Sequence, residues 1–189
     1  SAYLYGAKKD KRTLSKFLFT RGIWLIFLEV VVNNFIWFFD PSYSLIVLQV
    51  IWAIGFSMLF LSGIIYFSNK IIFRIGIAII CLHNLFDVFV IEGQSLDAIM
   101  WYFLHQPSMI KISEYSSLVF GYPIIPWVGL IALGYVMGSL YSEYQSKKRI
   151  SLLMKLGIYS VLAFIVLRLT NFYGEPNHFA VQKNLTFSV

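Results

Sequence analysis

Eight titratable or amide side chains interrupt the apolar stretches of this sequence, and they are the residues whose chemistry needs an explanation. They are Glu29, Asn33, Asn34, Gln49, His83, Asn84, Asp87 and Arg168. A polar side chain in hydrocarbon is costly, so within a membrane such residues mark a substrate path, a proton relay or a contact between helices. Carboxylates and a histidine in such a setting indicate acid–base or group-transfer chemistry.

His83 and Asp87 stand four residues apart, so on an α-helix their side chains lie on one face. A carboxylate there can orient the imidazole and stabilise its charged form, as in a general base. The alternative is a structural pair, in which His83 is satisfied by Asp87 or by a backbone carbonyl. Spacing leaves both interpretations open. His105 and His178 are interpreted as interfacial or solvated residues.

Glu29 lies about 12 Å along its helix from Arg21, with Asn33 one turn further on the same face. It is a candidate catalytic carboxylate, or else the partner of Arg168 in a buried ion pair that fixes two helices. Asn33 and Asn34 are typical of hydrogen bonds between helices, with substrate contact as the alternative. The depths of Glu29, His83, Asp87, Gln49 and Arg168 predict that they gather in one half of the membrane.

Several kinds of site find no support in the sequence. It has no P-loop, GxGxxG, GxSxG or zinc-binding spacing, so we expect no metal site. Cys81 is the only cysteine, which excludes an intrachain disulfide. The net charge of +6 resides mostly in short runs beside apolar segments and is not accompanied by RNA-binding motifs. We therefore expect a membrane partner and no nucleic acid.

The elements that must position these residues are membrane-spanning helices. Hydrophobic residues make up 59% of the 189 positions and charged residues only 13%, against about 25% charged in soluble domains. The prediction is an all-α polytopic bundle, a single membrane-embedded domain over 1–189, because a span needs ~20 apolar residues. Five windows qualify, near 22–39, 44–67, 71–91, 117–141 and 150–170.

Basic residues alternate between the predicted loops and orient the spans. They cluster before the first span, between the second and third (Lys70, Arg74) and between the fourth and fifth (Lys147, Lys148, Arg149). The positive-inside rule then places the N-terminus in the cytoplasm and the C-terminus of this chain outside.

Two segments interrupt the simple pattern of spans. The stretch from Leu96 to Met109 is apolar but too short to span, which predicts an interfacial or re-entrant helix. Pro126 is expected to kink the fourth span. Gly134 and Gly138 in the same span are typical of a close-packing helix face.

Seven short segments in order resemble bacterial membrane proteins related to the catalytic region of heparan-α-glucosaminide N-acetyltransferase, in the transmembrane acyltransferase superfamily. These segments are Arg21–Glu29, Leu48–Gly55, His83–Asp87, Tyr122–Gly129, Leu133–Tyr135, Leu167–Arg168 and Asn171–Pro176. The resemblance runs along nearly the whole chain.

The resemblance implies transfer of an acyl group, typically acetyl from cytosolic acetyl-CoA, to a hydroxyl or amine of a saccharide across a bacterial inner membrane. On this hypothesis His83, Asp87 and Glu29 form the catalytic site. Arg168 binds an anionic or carbonyl group, and the amide residues orient the substrates: Asn33, Asn84, Gln49 and Asn171. The family's usual first helix, with an early His, has no counterpart here, so we expect an internal fragment.

Two other functions remain open from the sequence. Intramembrane carboxylates and a histidine also make proton relays, so a proton-coupled transporter is one alternative. A non-catalytic membrane scaffold, in which the polar residues only hold helices together, is the other. The sequence does not define an oligomeric state.

Overall fold

A computed structural model describes residues 2–6 and 10–170, and it is mostly helical. The elements up to the first strand are α1 (Ala2–Gly6), α2 (Lys11–Phe27), a π-helical segment (Leu28–Asn33), α3 (Asn34–Phe38) and β1 (Leu45–Leu48). The central elements are α4 (Val50–Ile64), α5 (Asn69–Leu82), a 3₁₀ helix (His83–Val88), α6 (Leu96–Leu104) and β2 (Ser108–Lys111). The last are β3 (Ser117–Phe120), α7 (Ile124–Met137), α8 (Leu140–Glu143) and α9 (Ser146–Thr170).

The chain forms two compact units, Ser1–Ser139 and Leu140–Val189. The first contains α1 to α7 and the strands, and the second contains α8 and α9. That the whole chain acts as one membrane-embedded domain stays a prediction.

Within the described residues, three segments are long and apolar enough to cross a membrane: Asn69–Val88, Ile124–Glu143 and Ser146–Thr170. They correspond to the third, fourth and fifth predicted windows. The predicted span 44–67 instead holds β1 and the 15-residue helix α4, which is about 22 Å long and short of a ~30 Å hydrocarbon core. The structure therefore supports a membrane protein but does not confirm five spans.

A small sheet corrects the all-α prediction. Its strand order is β1-β3-β2, with β1 parallel to β3 and β2 antiparallel to it. β1 and β3 immediately precede α4 and α7, where the sequence predicts helix. Short runs such as Leu45–Leu48 are apolar on every residue, and a run of that length does not distinguish a buried strand from a helix.

The segment before β3 contains a shorter helix than predicted. The helix expected within Leu96–Met109 is present but ends at Leu104, and the segment after it forms β2. The buried side chains under the sheet are Leu48, Ala98, Tyr102, Ile110 and Phe120. They join α6 to the sheet as one packed layer.

Two pairs of glycines set the close helix crossings of the first unit. A Cβ on Gly22 would lie 2.7 Å from the Gly55 carbonyl oxygen, so α2 and α4 touch backbone to backbone. A Cβ on Gly76 would lie 3.1 Å from the Gly129 carbonyl oxygen, and α5 and α7 meet in the same way. These contacts bring α4, α5 and α7 around the site.

The predicted roles of Pro126 and Gly134 were wrong. α7 begins at Ile124 after Pro123, so Pro126 lies in the first turn, where a helix has no internal partner for the amide anyway. Gly134 has no neighbour within 4 Å, whereas a Cβ on Gly138 would lie 2.5 Å from Tyr3 Cβ. Gly129 of α7 therefore packs against α5, and Gly138, the residue that caps α7, packs against α1.

Candidate functional site

Hydrogen bonds connect the C-terminal part of α6, and Gln106 just after it, to the segment that follows the 3₁₀ helix. The Trp101 indole donates to the Phe89 carbonyl at 2.9 Å. The Gln106 side chain accepts from the Ile91 amide and donates to the Ile91 carbonyl, both at 3.1 Å. These bonds position His105, which directly follows α6, against the 3₁₀ helix.

His105 and Asp87 form the first polar cluster. His105 Nε2 donates to Asp87 Oδ1 at 2.8 Å, and Asn84 Nδ2 donates to Asp87 Oδ2 at 3.1 Å. The His105 side chain is only 6% exposed, whereas the Asp87 side chain is 35% exposed. Both carboxylate oxygens are therefore engaged, and the carboxylate reaches the surface of the unit.

Of the two partners that the sequence offered for His83, the pairing with Asp87 was wrong because the helix changes type at His83, and the contact with a backbone carbonyl is confirmed. In a 3₁₀ helix the side chains at i and i+3 eclipse, and those at i and i+4 diverge. Asn84 and Asp87, three residues apart, are the pair that meets. His83 instead places Nδ1 3.2 Å from the Ile79 carbonyl oxygen and 3.0 Å from that of Ile80.

These carbonyl contacts assign the His83 tautomer. A carbonyl oxygen only accepts, so Nδ1 donates in this arrangement, and in the neutral ring Nε2 then holds the lone pair. Among the described residues, Nε2 has no hydrogen-bond partner. The rings of His83 and His105 lie 6.4 Å apart between centroids, so the two imidazoles belong to one cluster.

A cavity of about 660 Å³ lies beside His83. Its walls come from α4, α5, α6 and α7, and His83 is the single lining residue that is not apolar. The imidazole is thus the one hydrogen-bonding side chain available to an occupant of this space.

Glu29 belongs to a second polar cluster, formed around the π-helical segment. Its side chain is fully buried. Oε1 accepts from Asn33 Nδ2 at 3.1 Å and from the Gln49 backbone amide at 3.3 Å, at the start of α4. Oε2 is buried without a hydrogen-bond partner in the part of the chain that the structure describes. The predicted stacking of Asn33 on Glu29 is confirmed.

Asn34 joins this cluster to the sheet. Its Oδ1 accepts from the Val47 amide at 2.7 Å, and its Nδ2 donates to the Val47 carbonyl at 3.1 Å and to the Glu29 carbonyl at 2.8 Å. Val47 lies on the edge strand β1, and unpaired backbone groups in an apolar surrounding are costly. The Asn34 side chain therefore hydrogen-bonds the free edge of β1 as the backbone of a neighbouring strand would. Asn33 and Asn34 were both predicted to bond between helices, and the structure corrects this: Asn33 bonds to Glu29 of the same helical segment, and Asn34 bonds to Glu29 and to β1.

The other predicted site residues are placed less fully. Gln49 contributes its backbone amide to Glu29 and precedes α4. Arg168 lies on α9 of the second unit, and the predicted Glu29–Arg168 ion pair stays a prediction. Asn171 and His178 lie outside the described residues. Among the described residues, no three His, Cys, Asp or Glu side chains gather as metal ligands would.

The sequence interpretation missed His105. It was assigned to the interface or to solvent because it follows an aromatic stretch, but its side chain is nearly buried and its Nδ1 lacks a partner among the described residues. Its pairing with Asp87, 18 residues earlier, depends on the fold of the segment between them. The signal in the sequence was the aromatic stretch itself, since Trp101 holds the histidine in place.

A mostly helical membrane protein with one buried cluster of carboxylate and amide groups and a second, partly exposed cluster of carboxylate, amide and imidazole groups is the class that this fold and site define. The family model described as heparan-alpha-glucosaminide N-acetyltransferase, catalytic, matches residues 2–173. The chain belongs to this family, as its motifs predict. No curated protein and no solved structure matches the chain.

Proposed function

We propose that this protein transfers an acetyl or other acyl group from cytosolic acyl-CoA to a hydroxyl or amine of an extracytoplasmic saccharide. Membership of the family supports an acyltransferase-like function. The observation that carries the mechanism is His83, which lines the cavity and whose Nδ1 contacts backbone carbonyls, while its Nε2 has no hydrogen-bond partner among the described residues.

In the proposed reaction the acceptor hydroxyl or amine loses its proton to His83 Nε2 as its oxygen or nitrogen attacks the thioester carbonyl carbon. The new C–O or C–N bond forms, the C–S bond breaks, and the proton passes from the imidazole to the departing thiolate. General-base catalysis of this kind contributes about 10²–10⁴-fold to a rate.

The surrounding residues have supporting roles in this proposal. Asp87, oriented by Asn84, fixes His105 beside the reacting imidazole. Glu29 is a second acid–base group, since its Oε2 is buried and has no hydrogen-bond partner among the described residues. Asn33 and the Gln49 backbone orient Glu29. Arg168 and Asn171 would bind the substrate's anionic or carbonyl groups.

The proposed location is a bacterial inner membrane, with the N-terminus of this chain in the cytoplasm. The distribution of basic residues between the loops supports this orientation. It places the basic loops on the side of the acyl-CoA and the His83 end of α5 on the side of the acceptor.

The test is release of free CoA thiol by the purified protein in proteoliposomes, with acetyl-CoA as donor and glucosamine as acceptor. We expect His83→Gln to lower the transfer rate by at least ~100-fold, because the side-chain amide of glutamine cannot accept the proton that the His83 imidazole accepts at Nε2. Leu85→Ala is the matched control, since Leu85 lies two residues away and is 56% exposed. Equal rates for His83→Gln and the unmodified protein would exclude the proposed base.

A proton-coupled transporter is the second candidate, and Glu29 is the observation that favours it. A fully buried carboxyl with one oxygen lacking a partner among the described residues is also the kind of group that carries a proton across a bilayer. Glucosamine uptake into the same proteoliposomes, driven by a pH gradient and without consumption of acetyl-CoA, would favour transport. A scaffold would show neither activity.

A further inference from the structure

The apolar cavity beside His83 is larger than an acetyl group requires. Its volume of about 660 Å³ falls within the ~300–1,000 Å³ typical of sites for whole small molecules. Every lining side chain except His83 is aliphatic or aromatic. An ordered water needs two or more polar partners, which such walls do not supply. The chemistry of the cavity therefore favours a hydrocarbon occupant.

The cavity has its polar group just past the middle of its length. Along α5 and the 3₁₀ helix the lining runs from Ala78 to Phe86, which is roughly 13 Å. His83 lies about 8 Å along that run, Phe86 lies beyond it, and Asp87, which pairs with His105, follows Phe86. An occupant that matched this pattern would have a hydrocarbon chain beside Ala78 and a hydrogen-bonding group at His83.

The cavity also opens at the side of the bundle. Phe60, Leu82 and Phe86 all line it, and they are 45%, 50% and 44% exposed. These are apolar residues on segments that contact hydrocarbon in a membrane protein. A chain that is already dissolved in the bilayer can therefore reach the cavity between them.

We propose that the acyl acceptor is an amphiphile, whose hydrocarbon chain fills this cavity while its hydroxyl or amine meets His83 Nε2. This inference rests on the proposed acyl transfer and names the class of its acceptor. The basic residues Lys70 and Arg74 lie in the first half of α5, so the positive-inside rule puts His83 on the extracytoplasmic side of them. An amphiphile in the extracytoplasmic leaflet directs its hydrocarbon chain towards the bilayer centre, which in this orientation is the direction from His83 to Ala78.

The experiment compares two acceptors that carry the same sugar, methyl glucosaminide and dodecyl glucosaminide, in proteoliposomes with radiolabelled acetyl-CoA. We expect kcat/KM to be at least ~10-fold higher for the dodecyl acceptor, because each buried methylene contributes favourably to binding. Ala78→Phe places a ring in the cavity and should lower the dodecyl-to-methyl ratio by ~10-fold. Ile77→Phe is the control, since Ile77 is the neighbouring residue and does not line the cavity.

A second variant keeps the inference testable if Ala78→Phe does not fold. Leu82→Ala enlarges the cavity, so the preferred alkyl chain should become longer across a series from octyl to hexadecyl.

The outcomes separate this inference from the function on which it rests. Acetyl transfer at equal kcat/KM to both acceptors would overturn the amphiphilic acceptor and leave the acyl transfer intact. Absence of transfer from any donor would overturn the proposed function itself. A preference for octanoyl-CoA over acetyl-CoA that Ala78→Phe abolishes would assign the cavity to the donor's acyl chain instead. Crosslinking of a diazirine phospholipid that dodecyl glucosaminide does not displace would assign it to bilayer lipid.

Discussion

At the scale of the residue, a change of helix type decides which side chains meet. The sequence identifies His83, Asn84 and Asp87 as unusual, but the pair that it offers, His83 with Asp87, assumes an α-helical period. In the 3₁₀ segment the i, i+3 pair Asn84–Asp87 forms, and Asp87 turns to His105. The Glu29–Asn33 contact was predicted correctly, and it lies within the π-helical segment.

Asn34 gives a prediction at this scale. Asn34→Leu should destabilise the protein by about 1–3 kcal/mol, because it leaves the partly buried amide and carbonyl of Val47 without their side-chain partner. Thermal unfolding in detergent measures the effect. Asn33→Leu is the control. The Asn33 side chain makes one hydrogen bond, to the Glu29 side chain, so its loss should lower the unfolding temperature less. Equal losses in the two variants would contradict the strand-neighbour role of Asn34.

At the scale of the element, backbone contacts at glycines decide how helices cross. The sequence draws attention to Gly134 and Gly138 because they fit a small-xxx-small pattern. The crossings are made instead by Gly22 with Gly55 and by Gly76 with Gly129. Spacing within one helix cannot show which glycine faces a partner, since the partner's own position is needed.

A matched pair of alanine substitutions tests these crossings. Gly55→Ala should destabilise the protein by about 1–3 kcal/mol, since its Cβ would lie 2.9 Å from the Gly22 carbonyl oxygen, which cannot move without the helix. Gly134→Ala has open space, so it should be neutral or stabilising by up to ~1 kcal/mol through helix propensity. Thermal unfolding of both variants in one detergent is the measurement. A Gly55→Ala protein as stable as Gly134→Ala would refute the contact.

The turn after α3 gives a prediction that depends on pH. Hydrogen bonds from the Ser42 and Ser44 hydroxyls and amides hold the pKa of Asp40 well below its ordinary value of 3.8. A carboxyl whose pKa is lowered by folding stabilises the fold above pH 3.8, and this contribution is lost as the pH falls towards the lowered pKa. Asp40→Ala should therefore be less stable at pH 7, and the difference should shrink below about pH 4.

The measurement for Asp40 is the unfolding temperature between pH 3 and pH 7. Glu114→Ala, in the turn between β2 and β3, serves as the control for removal of a carboxylate from an exposed turn. A difference between Asp40→Ala and the unmodified protein that stayed constant over this range would argue against the lowered pKa.

At the scale of the whole molecule, the distribution of charge predicts the orientation on which the proposed reaction depends. In the predicted orientation the basic runs lie on the side from which acyl-CoA would enter. The polar cluster around His83 lies beyond the centre of α5 from Lys70 and Arg74. A protein inserted the other way would present the cluster to the cytoplasm, where the proposed acceptor is absent.

Single-cysteine labelling in intact bacteria tests this orientation. In a Cys81→Ser background, Ser113→Cys should react with a membrane-impermeant maleimide because the turn between β2 and β3 is exposed and predicted to lie outside. Lys70→Cys is the partner variant and should react only after the cells are permeabilised. The reverse pattern would invert the topology and remove the extracytoplasmic acceptor.

The sequence by itself determined the membrane class, the family and the identity of the polar residues, because composition and motif order are local properties. It also placed three apolar segments that the structure bears out as long enough to span. Only the tertiary structure decided that β1 and β3 are strands, that Asp87 pairs with His105 and that a hydrocarbon-lined cavity adjoins His83. These features join residues distant in the chain, and contacts of that kind depend on packing, which periodicity along one segment does not encode.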